Sequence, residues 1–502
     1  MSRQKTILIV CDGMGYREAK EHNAIAVAAT PNLDSYFANY PFALLDASGE
    51  AIGLPEGQMG TSEANHLVMG AGRIIYQNLV KINRAVNDNK LIETEAILEA
   101  MEHVKIHDSI LHIKGIVSDG GVHGHIDHLK ALVLTAKNHG LSKVHLHLFT
   151  DGRDTPPKSA LSYINDLEIY LASIGLGKIV SIGGRYWGMD RDNNNERVEK
   201  HFVAMTRGEA PKFKSASAVV EHGYDMGITD EFIEPALIET KDGEVELIGA
   251  NDAVIFANFR SDRAKQIAKR FSEEKIENLK YVGMTSYADD LDIRVAFDKE
   301  VITNTLSEVI AQNNLKQLKV TETEKFTHLT FFFNAQKYEA ETGEERILIA
   351  SNKDVATHDE KPEMQAAKIT NAVVTAIKND KHDFIAVNLT NCDMVGHSGN
   401  FSAIIAAVEA VDRALGEIVL VAKEAGYAVI LTADHGNAEE TFDYSNNQIL
   451  TSHTLNPVPF ILISSRFSRI SHNQGNLSDV APTILKILDL PIPEEMTGRS
   501  FV

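Results

Sequence analysis

The 502-residue chain has only two cysteines, Cys11 and Cys392. That excludes a disulfide framework and a thiolate zinc site, and it fits a reducing compartment. No apolar run approaches the ~20 residues of a membrane-spanning helix. The stretch "MSRQKTILIVCDGMG" meets Asp12 too soon to hold the long apolar segment and small-residue cleavage site of a secretory signal. A cytoplasmic location is therefore expected. Positive charge is in deficit: 49 Lys and Arg stand against 70 Asp and Glu, a formal charge of −21. Neither nucleic acid nor an anionic membrane suits such a surface, and any anionic substrate has to be met by a local cluster of cations. Low-complexity segments and short-period repeats are also missing.

What is present is a globular composition, 44% hydrophobic and 24% charged. Length alone favours about three domains. One unit recurs: a short β-branched apolar run, then a polar loop rich in Gly, Asp, His or Arg. "KTILIVCDGMG", "LHIKGIVSDGGVHGH", "VHLHLFTDGRDTPP", "KIVSIGGRYWGMDRD", "DAVIFANFRSDRA", "DFIAVNLTNCDMVGH", "GYAVILTADHGNAEE" and "NPVPFILISS" all follow it. Near-continuous apolar runs read as parallel strands buried on both faces. Between them lie helical patterns such as "HLKALVLTAKNHG" and "AIIAAVEAVDRALGEIVLVAKEAG". The alternation predicts an α/β protein whose ligands bind beyond the carboxyl ends of the strands. Loops between about 110 and 265 carry Arg with Asp and His; loops at both ends of the chain carry Asp with His. This predicts one domain built from both chain ends (residues 1–79 and 302–502) and one inserted between (residues 80–301), with joins near "YQNLVKIN" and "FDKEVITNTLSEV".

Two constellations carry chemistry. Asp12, Asp393, His397, Asp434, His435 and His453 fall in the end loops, with Asp393 and His397 four residues apart, the spacing that aligns side chains on one helical face. Hard carboxylates with imidazoles suit Mn, Zn or Mg. Six ligands serve two ions if a serine oxygen completes one shell, and two metals can activate a nucleophile and neutralise a transferring phosphoryl group. The second constellation is Arg153, Arg185, Arg191, Arg260 and Arg263, each in or beside a post-strand loop. The guanidinium fork matches carboxylate and phosphate, so the set points to a small substrate with more than one anionic group. Asp154 is a candidate general base and His123 a proton-transfer group or anion donor. In "GQMGTSEANHLVMGAGR", Thr61 and Ser62 read equally as a helix cap or as a nucleophile.

"LPEGQMGTSEANHLVMGAGRIIYQ", "VSDGGVHGHIDHL", "DGRDTPP", "GRYWGMDRD", "NFRSDRA", "EKFTHLTFFFN", "VATHDEKPEM", "DMVGH", "TADHGNAE" and "SHTLNPVPF" occur in this order. Together they resemble the cofactor-independent phosphoglycerate mutases of the alkaline phosphatase superfamily, which need no 2,3-bisphosphoglycerate. The resemblance implies an alkaline-phosphatase-like α/β sandwich from both chain ends holding two Mn2+ ions, other divalent metals being possible, and an inserted α/β phosphotransferase domain. It implies Asp393, His397 and His453 on one ion, and Asp12, Asp434, His435 and Ser62 on the other. It selects Ser62 over Thr61 as nucleophile and puts His123, Arg153, Asp154, Arg185, Arg191, Arg260, Arg263 and Lys325 on substrate-binding positions. The implied chemistry interconverts 3-phosphoglycerate and 2-phosphoglycerate in glycolysis and gluconeogenesis through a phosphoserine, by a monomer.

The motif departs from the family where "TSEANH" replaces "NSEVGH", where Gly124 stands for serine and where Ser261 stands for proline. Asn65 in place of glycine tolerates a left-handed backbone better than most residues. Cys11 and Cys392 each precede a predicted metal ligand; they read either as thiols whose oxidation perturbs the metal site or as two small buried residues. The competing functions are a metal-dependent phosphatase or phosphopentomutase of the same superfamily, and a non-catalytic phosphate-ester binder.

Overall fold

A computed structural model describes residues 3–502. The chain divides into two compact units, one running to Gln77 and from Val301 to Val502, the other Asn78–Glu300. The crossings fall at 77/78 and 300/301, against the 79/80 and 301/302 read from the sequence. No described helix is long and apolar enough to cross a membrane.

The discontinuous unit is built on an eight-stranded sheet in the order Glu344–Ile349, Gln317–Glu322, Phe384–Leu389, Thr6–Cys11, Ala428–Thr432, Val458–Ile463, Phe42–Asp46, Gln474–Asn476. The first five strands are mutually parallel. Strand Thr6–Cys11 is buried at every position because helices cover both faces, which is why it reads as an uninterrupted apolar run. Direction does not follow from apolarity, however. Val458–Ile463, expected to be parallel, runs antiparallel to both Ala428–Thr432 and Phe42–Asp46. It is buried on both faces all the same, so its composition matches that of its parallel neighbours. The carboxyl ends of Phe384–Leu389, Thr6–Cys11 and Ala428–Thr432 lie side by side, and within four residues of each end stand Asp393, Asp12 and Asp434 respectively.

The inserted unit repeats the plan. Its sheet runs Arg294–Val295, Lys280–Gly283, Ala253–Phe256, Leu111–Ile116, Val144–Thr150, Lys178–Gly184, Ala236–Ile238, Lys212–Phe213. All neighbours are parallel except Lys178–Gly184 with Ala236–Ile238. The chain leaves the centre in one direction and returns to extend the sheet in the other, so the switch lies between Leu111–Ile116 and Ala253–Phe256. Ligands bind at such a crevice, and the loops bearing His123 and Arg260 flank it, with Arg263 in the first turn of helix Ser261–Glu274.

One face of this second sheet is aliphatic; the other is an unusual buried layer of His112, Lys114, His145 and His147, with His201 of helix Asn195–Arg207 against Phe149 beside it. A hydrogen-bonded line joins Asp252, His112 (3.2 Å), His147 (2.9 Å) and Ser181 (2.7 Å). Lys114 ends in a cage of Phe256, Phe271 and Tyr281. His201 is 1% exposed, and neither ring nitrogen has a hydrogen-bond partner. Burial, reinforced by Lys114, pushes its pKa down to about 3. The unfolded imidazole binds a proton near pH 6.5, the folded one only near pH 3. Stability is therefore lost as pH falls between those values, by about 2 kcal/mol at pH 5 for this one group. We expect His201→Leu to raise stability at pH 7.5 by about 1–2 kcal/mol, because two unsatisfied buried atoms disappear. The gain should be larger at pH 5. Urea unfolding at both pH values checks this, and an unchanged acid sensitivity would contradict it.

Candidate active site

The opening ambiguity at Thr61 and Ser62 resolves into two jobs for adjacent residues. Thr61 is the N-cap of helix Ser62–Ala71, its Oγ1 accepting from Ala64 N at 3.2 Å. Ser62 is the first helical residue and is only 5% exposed. Its Oγ lies 2.8 Å from His435 Nε2 and accepts from Lys325 Nζ at 2.6 Å. Lys325 Nζ also sits 2.8 Å from Asp12 Oδ1 and 2.7 Å from Asp393 Oδ2. The lysine read as a substrate-binding residue thus stands among buried carboxylates, touching the serine.

Asp393 lies in the short helix Asn391–Gly396, whose turn brings His397 Nε2 to 3.1 Å from Asp393 Oδ1. His453 Nε2 reaches the same oxygen at 3.1 Å. His435 Nε2 lies 3.3 Å from Asp434 Oδ2 and 3.8 Å from Asp12 Oδ1, and its ring stacks on that of His453. Nδ1 of His397 donates to Thr451 O and Nδ1 of His453 to Gly60 O, each at 2.7 Å. A carbonyl only accepts, so these bonds keep a proton on Nδ1, and in the neutral ring Nε2 is then a lone pair. Asp393 Oδ1 and Asp434 Oδ2 are buried without a hydrogen bond. An imidazole lone pair facing a carboxylate oxygen is repulsive unless a proton or cation lies between them. Three carboxylates faced by one ammonium leave the site negative, and its donors are hard oxygen and imidazole nitrogen with no thiolate. Together these features fit divalent metal.

Two trios place their ligand atoms within 4.8 Å of one another: Asp393, His435 and His453, and Asp12, His66 and Asp434. His435 lies between them, against Asp434 and Asp12 and stacked on His453. His66 was not among the expected ligands, and His397 is 44% exposed. Position 66 lies four residues after Ser62 on the same helix face, the one sequence signal that points to it. His66 Nδ1 bonds Ser62 O at 2.8 Å; Asn388 Nδ2 donates to Asp12 Oδ2 at 2.7 Å and contacts His66 Nε2 at 3.2 Å. Burial and the neighbouring Asp434 raise Asp12 well above the usual carboxylate range. Burial alone would raise Asp393 too, but Lys325 and the surrounding imidazoles outweigh it and hold it well below. Burial pushes His435 down to about 4.

Residue 65 does not adopt the left-handed backbone its substitution allows. It is helical, and its side chain does something else. Asn65 Nδ2 donates to Ala47 O at 2.9 Å and Asp434 O at 2.5 Å, tying the serine's helix to a carboxylate loop. A Cβ on Gly60 would lie 2.5 Å from that nitrogen, so Gly60 and Asn65 are matched. Asn65→Ala strips donors from two buried carbonyls and is expected to cost about 2–3 kcal/mol. We expect kcat to fall about tenfold with little change in KM, since the tie holds the helix that carries Ser62 against the loop that carries Asp434. Thermal melting and steady-state kinetics check both; wild-type values for both would contradict the tie. Cys11 and Cys392 are fully buried with thiols pushed up, by burial first and then by neighbouring acidic groups. They behave as small core residues without a reactive thiolate.

In the inserted unit, Arg185 is 1% exposed and its Nη1 reaches Asp151 Oδ1 at 2.6 Å and Asp154 Oδ2 at 2.5 Å. Asp151 Oδ1 also accepts from the backbone N–H groups of Arg153 and Asp154, closing the "DGRD" loop. His123 Nε2 lies 3.7 Å from Asp154 Oδ2, and its Nδ1 3.7 Å from Asp262 Oδ1. Burial, then Arg185, pushes His123 down to about 4, so it is neutral at pH 7. Asp262 also meets Arg260 at 3.0 Å and Arg191 at 3.5 Å. Arg263 is buried with its Nη1 on Met189 O. Its pKa is lowered, by burial first and then by Arg185, Arg191 and Arg153, which marks these guanidinium groups as converging. Arg153, Arg191 and Arg260 remain about half exposed. Asp151 and Asp262, which order the arginines, were not singled out in the sequence, where an Asp beside an Arg in a loop looks like an ordinary surface pair.

The arrangement is a buried, cation-contacted hydroxyl among metal-type donors in one unit and a cluster of arginines paired with aspartates in the other. Residues 82–289 match the family described as the BPG-independent PGAM N-terminus, and residues 227–478 match type I phosphodiesterase / nucleotide pyrophosphatase. The chain is similar over its whole length to curated proteins named 2,3-bisphosphoglycerate-independent phosphoglycerate mutase. It is 45% identical to that of Clostridium kluyveri (100% of each chain covered) and 45% identical to that of Clostridium acetobutylicum (100% of this chain, 99% of the other). A solved structure of Leishmania mexicana phosphoglycerate mutase superposes with a TM-score of 0.55 at 29% identity, covering 99% of this chain and 98% of the other. Matched end to end at this level, the chain belongs to the family of 2,3-bisphosphoglycerate-independent phosphoglycerate mutases.

Proposed function

We propose that the chain interconverts 3-phosphoglycerate and 2-phosphoglycerate by parking the phosphoryl group on Ser62, as a monomeric cytoplasmic enzyme of glycolysis and gluconeogenesis. The observation that carries this reading is Ser62 Oγ, buried and held between Lys325 Nζ and His435 Nε2 at 2.6 and 2.8 Å. Two divalent ions, Mn2+ by preference, would be held by Asp12, Asp434, His435 and Ser62, and by Asp393, His397 and His453, with His66 beside the first set. When bound they neutralise phosphoryl charge and lower the pKa of the serine hydroxyl.

The chain's own groups do the rest. The Lys325 ammonium, already donating to Ser62 Oγ, stabilises that oxygen as it gains negative charge. Burial and the carboxylates around Lys325 have opposite effects, and the carboxylates prevail, so it stays protonated. Ser62 Oγ bonds to phosphorus as the bond from phosphorus to the glycerate oxygen breaks. Ser62 Oγ gives up its hydroxyl proton in this step, and the departing glycerate oxygen takes one up. The arginine set retains glycerate by its carboxylate and hydroxyls. Asp154, held on Arg185, then accepts the proton of the other hydroxyl, whose oxygen attacks phosphorus and releases Ser62 Oγ, which regains a proton as Asp154 gives one up. Atoms balance: one phosphoryl group moves between two oxygens of one substrate, and no bisphosphoglycerate enters.

Acid quench during turnover, proteolysis and mass spectrometry test the proposal. A phosphoryl increment on the peptide holding Ser62 is expected. Turnover with unmodified Ser62 would refute it, and steady release of inorganic phosphate would favour a phosphatase instead.

A further inference from the structure

The "TADHGNAE" motif ends in Glu439, a residue the chemistry above leaves without a role. It is 0% exposed, and among the described residues no cation pairs with its carboxylate; Arg17 Nη1 reaches only its backbone carbonyl, at 3.4 Å. Its Oε2 accepts from Gly15 N at 3.0 Å and Asn437 N at 2.9 Å. Its Oε1 accepts from Asn456 Nδ2 at 3.0 Å and from the hydroxyl of Thr454. Gly15 follows Asp12 by three residues, Asn437 follows His435 by two, and Thr454 directly follows His453. The four donors therefore come from three loops, each carrying a candidate ligand. The fourth ligand loop adjoins the same cluster: a Cβ on Gly396, between Asp393 and His397, would strike Asn437 Oδ1 at 2.0 Å. The loops close on the carboxylate without spare room. A Cβ at Gly15 or Gly436 would lie 2.3 Å from Glu439 atoms.

We propose that Glu439 is a positioning residue that sets the spacing of the Asp12, Asp434–His435 and His453 loops, and through them the metal affinity of the site. This rests on the metal reading given above. A buried carboxylate that only filled a core would have no reason to take all its hydrogen bonds from segments leading to ligands. Partners that orient ligands from behind typically change metal affinity by tenfold to a hundredfold when altered.

The experiment compares Mn2+ binding to chelator-treated protein, by calorimetry and by electron paramagnetic resonance, across wild type, Glu439→Gln, Thr454→Val and Glu344→Gln. Glutamine keeps the shape of glutamate but presents an amide to donors whichever way it turns, so one pair of bonds is lost. Thr454→Val removes a single donor and serves if Glu439→Gln does not fold. Glu344→Gln alters another buried carboxylate of the same unit, paired with Lys319 at 3.5 Å, and controls for lost stability. We expect Mn2+ binding to weaken tenfold to a hundredfold in Glu439→Gln, to weaken by a smaller factor in Thr454→Val, and to stay unchanged in Glu344→Gln even where melting falls. Activity of Glu439→Gln should recover as Mn2+ is raised. Wild-type affinity in both Glu439→Gln and Thr454→Val, or equal weakening in Glu344→Gln, overturns the inference. A wild-type protein that binds no Mn2+ refutes the metal reading itself, and the inference with it.

Discussion

Replacing Ser62 with alanine is expected to lower turnover by at least about 10⁴-fold, while Thr61→Ala leaves it within a few-fold of wild type. Removing a nucleophile that forms a covalent intermediate costs a rate factor of this order or more. The two hydroxyls are neighbours in sequence, but their surroundings differ. Ser62 Oγ faces Lys325 and His435 in a buried site. Thr61 Oγ1 is spent on the N–H of Ala64, and losing that cap costs about 1 kcal/mol of stability. The pair of variants separates chemistry from folding: Thr61→Ala should melt lower and remain active, Ser62→Ala should melt close to wild type and be inactive. The reverse pattern would overturn the assignment of the nucleophile.

Arg185→Ala is the second large effect. The side chain is buried against Asp151 and Asp154, and truncating one partner of a buried charged pair costs about 3–5 kcal/mol because the others are left unpaired. If Arg185 also holds the substrate and orients Asp154, kcat/KM should fall about a thousandfold, equivalent to about 4 kcal/mol. Arg185→Lys keeps a charge that can meet the carboxylates, which one guanidinium nitrogen contacts in the native chain, but loses the planar group's remaining donors for a substrate anion, so it should recover stability in part and activity little. Melting curves with a KM and kcat determination decide. Wild-type kinetics in Arg185→Ala would remove the arginine set from substrate binding.

Much of the architecture was readable because parallel strands covered on both faces leave plain apolar runs, and each run ends where a ligand-type side chain begins. "TILIVC" before Asp12 and "AVILT" before Asp434 are examples. The strand Gln317–Glu322 gave no such run, although it is buried throughout, because Lys319 and Glu322 occupy core positions with partners of their own. The exposed edge strand Glu344–Ile349 was equally silent. In the site, types and spacing pointed to Asp393 with His397 and to Asp434 with His435. They could not show that Lys325 lies against Ser62, which depends on elements more than 260 residues apart. Nor could they show the helper groups. His66, Asn388, Asp151, Asp262 and Glu439 matter through what they hold, and the groups they hold are adjacent only in the folded chain. Asn65 is the instructive case, since reasoning from its backbone tolerance missed that its side chain reaches Asp434 O.

The central claim is metal-dependent transfer between two positions of phosphoglycerate. Its most direct test is conversion of 3-phosphoglycerate to 2-phosphoglycerate, read by coupling to enolase, with chelator-treated protein and no 2,3-bisphosphoglycerate. No turnover is expected until Mn2+ is restored, then full activity without any bisphosphoglycerate. Undiminished turnover by protein shown to be metal-free, or none by folded protein shown to be metal-loaded, would contradict it.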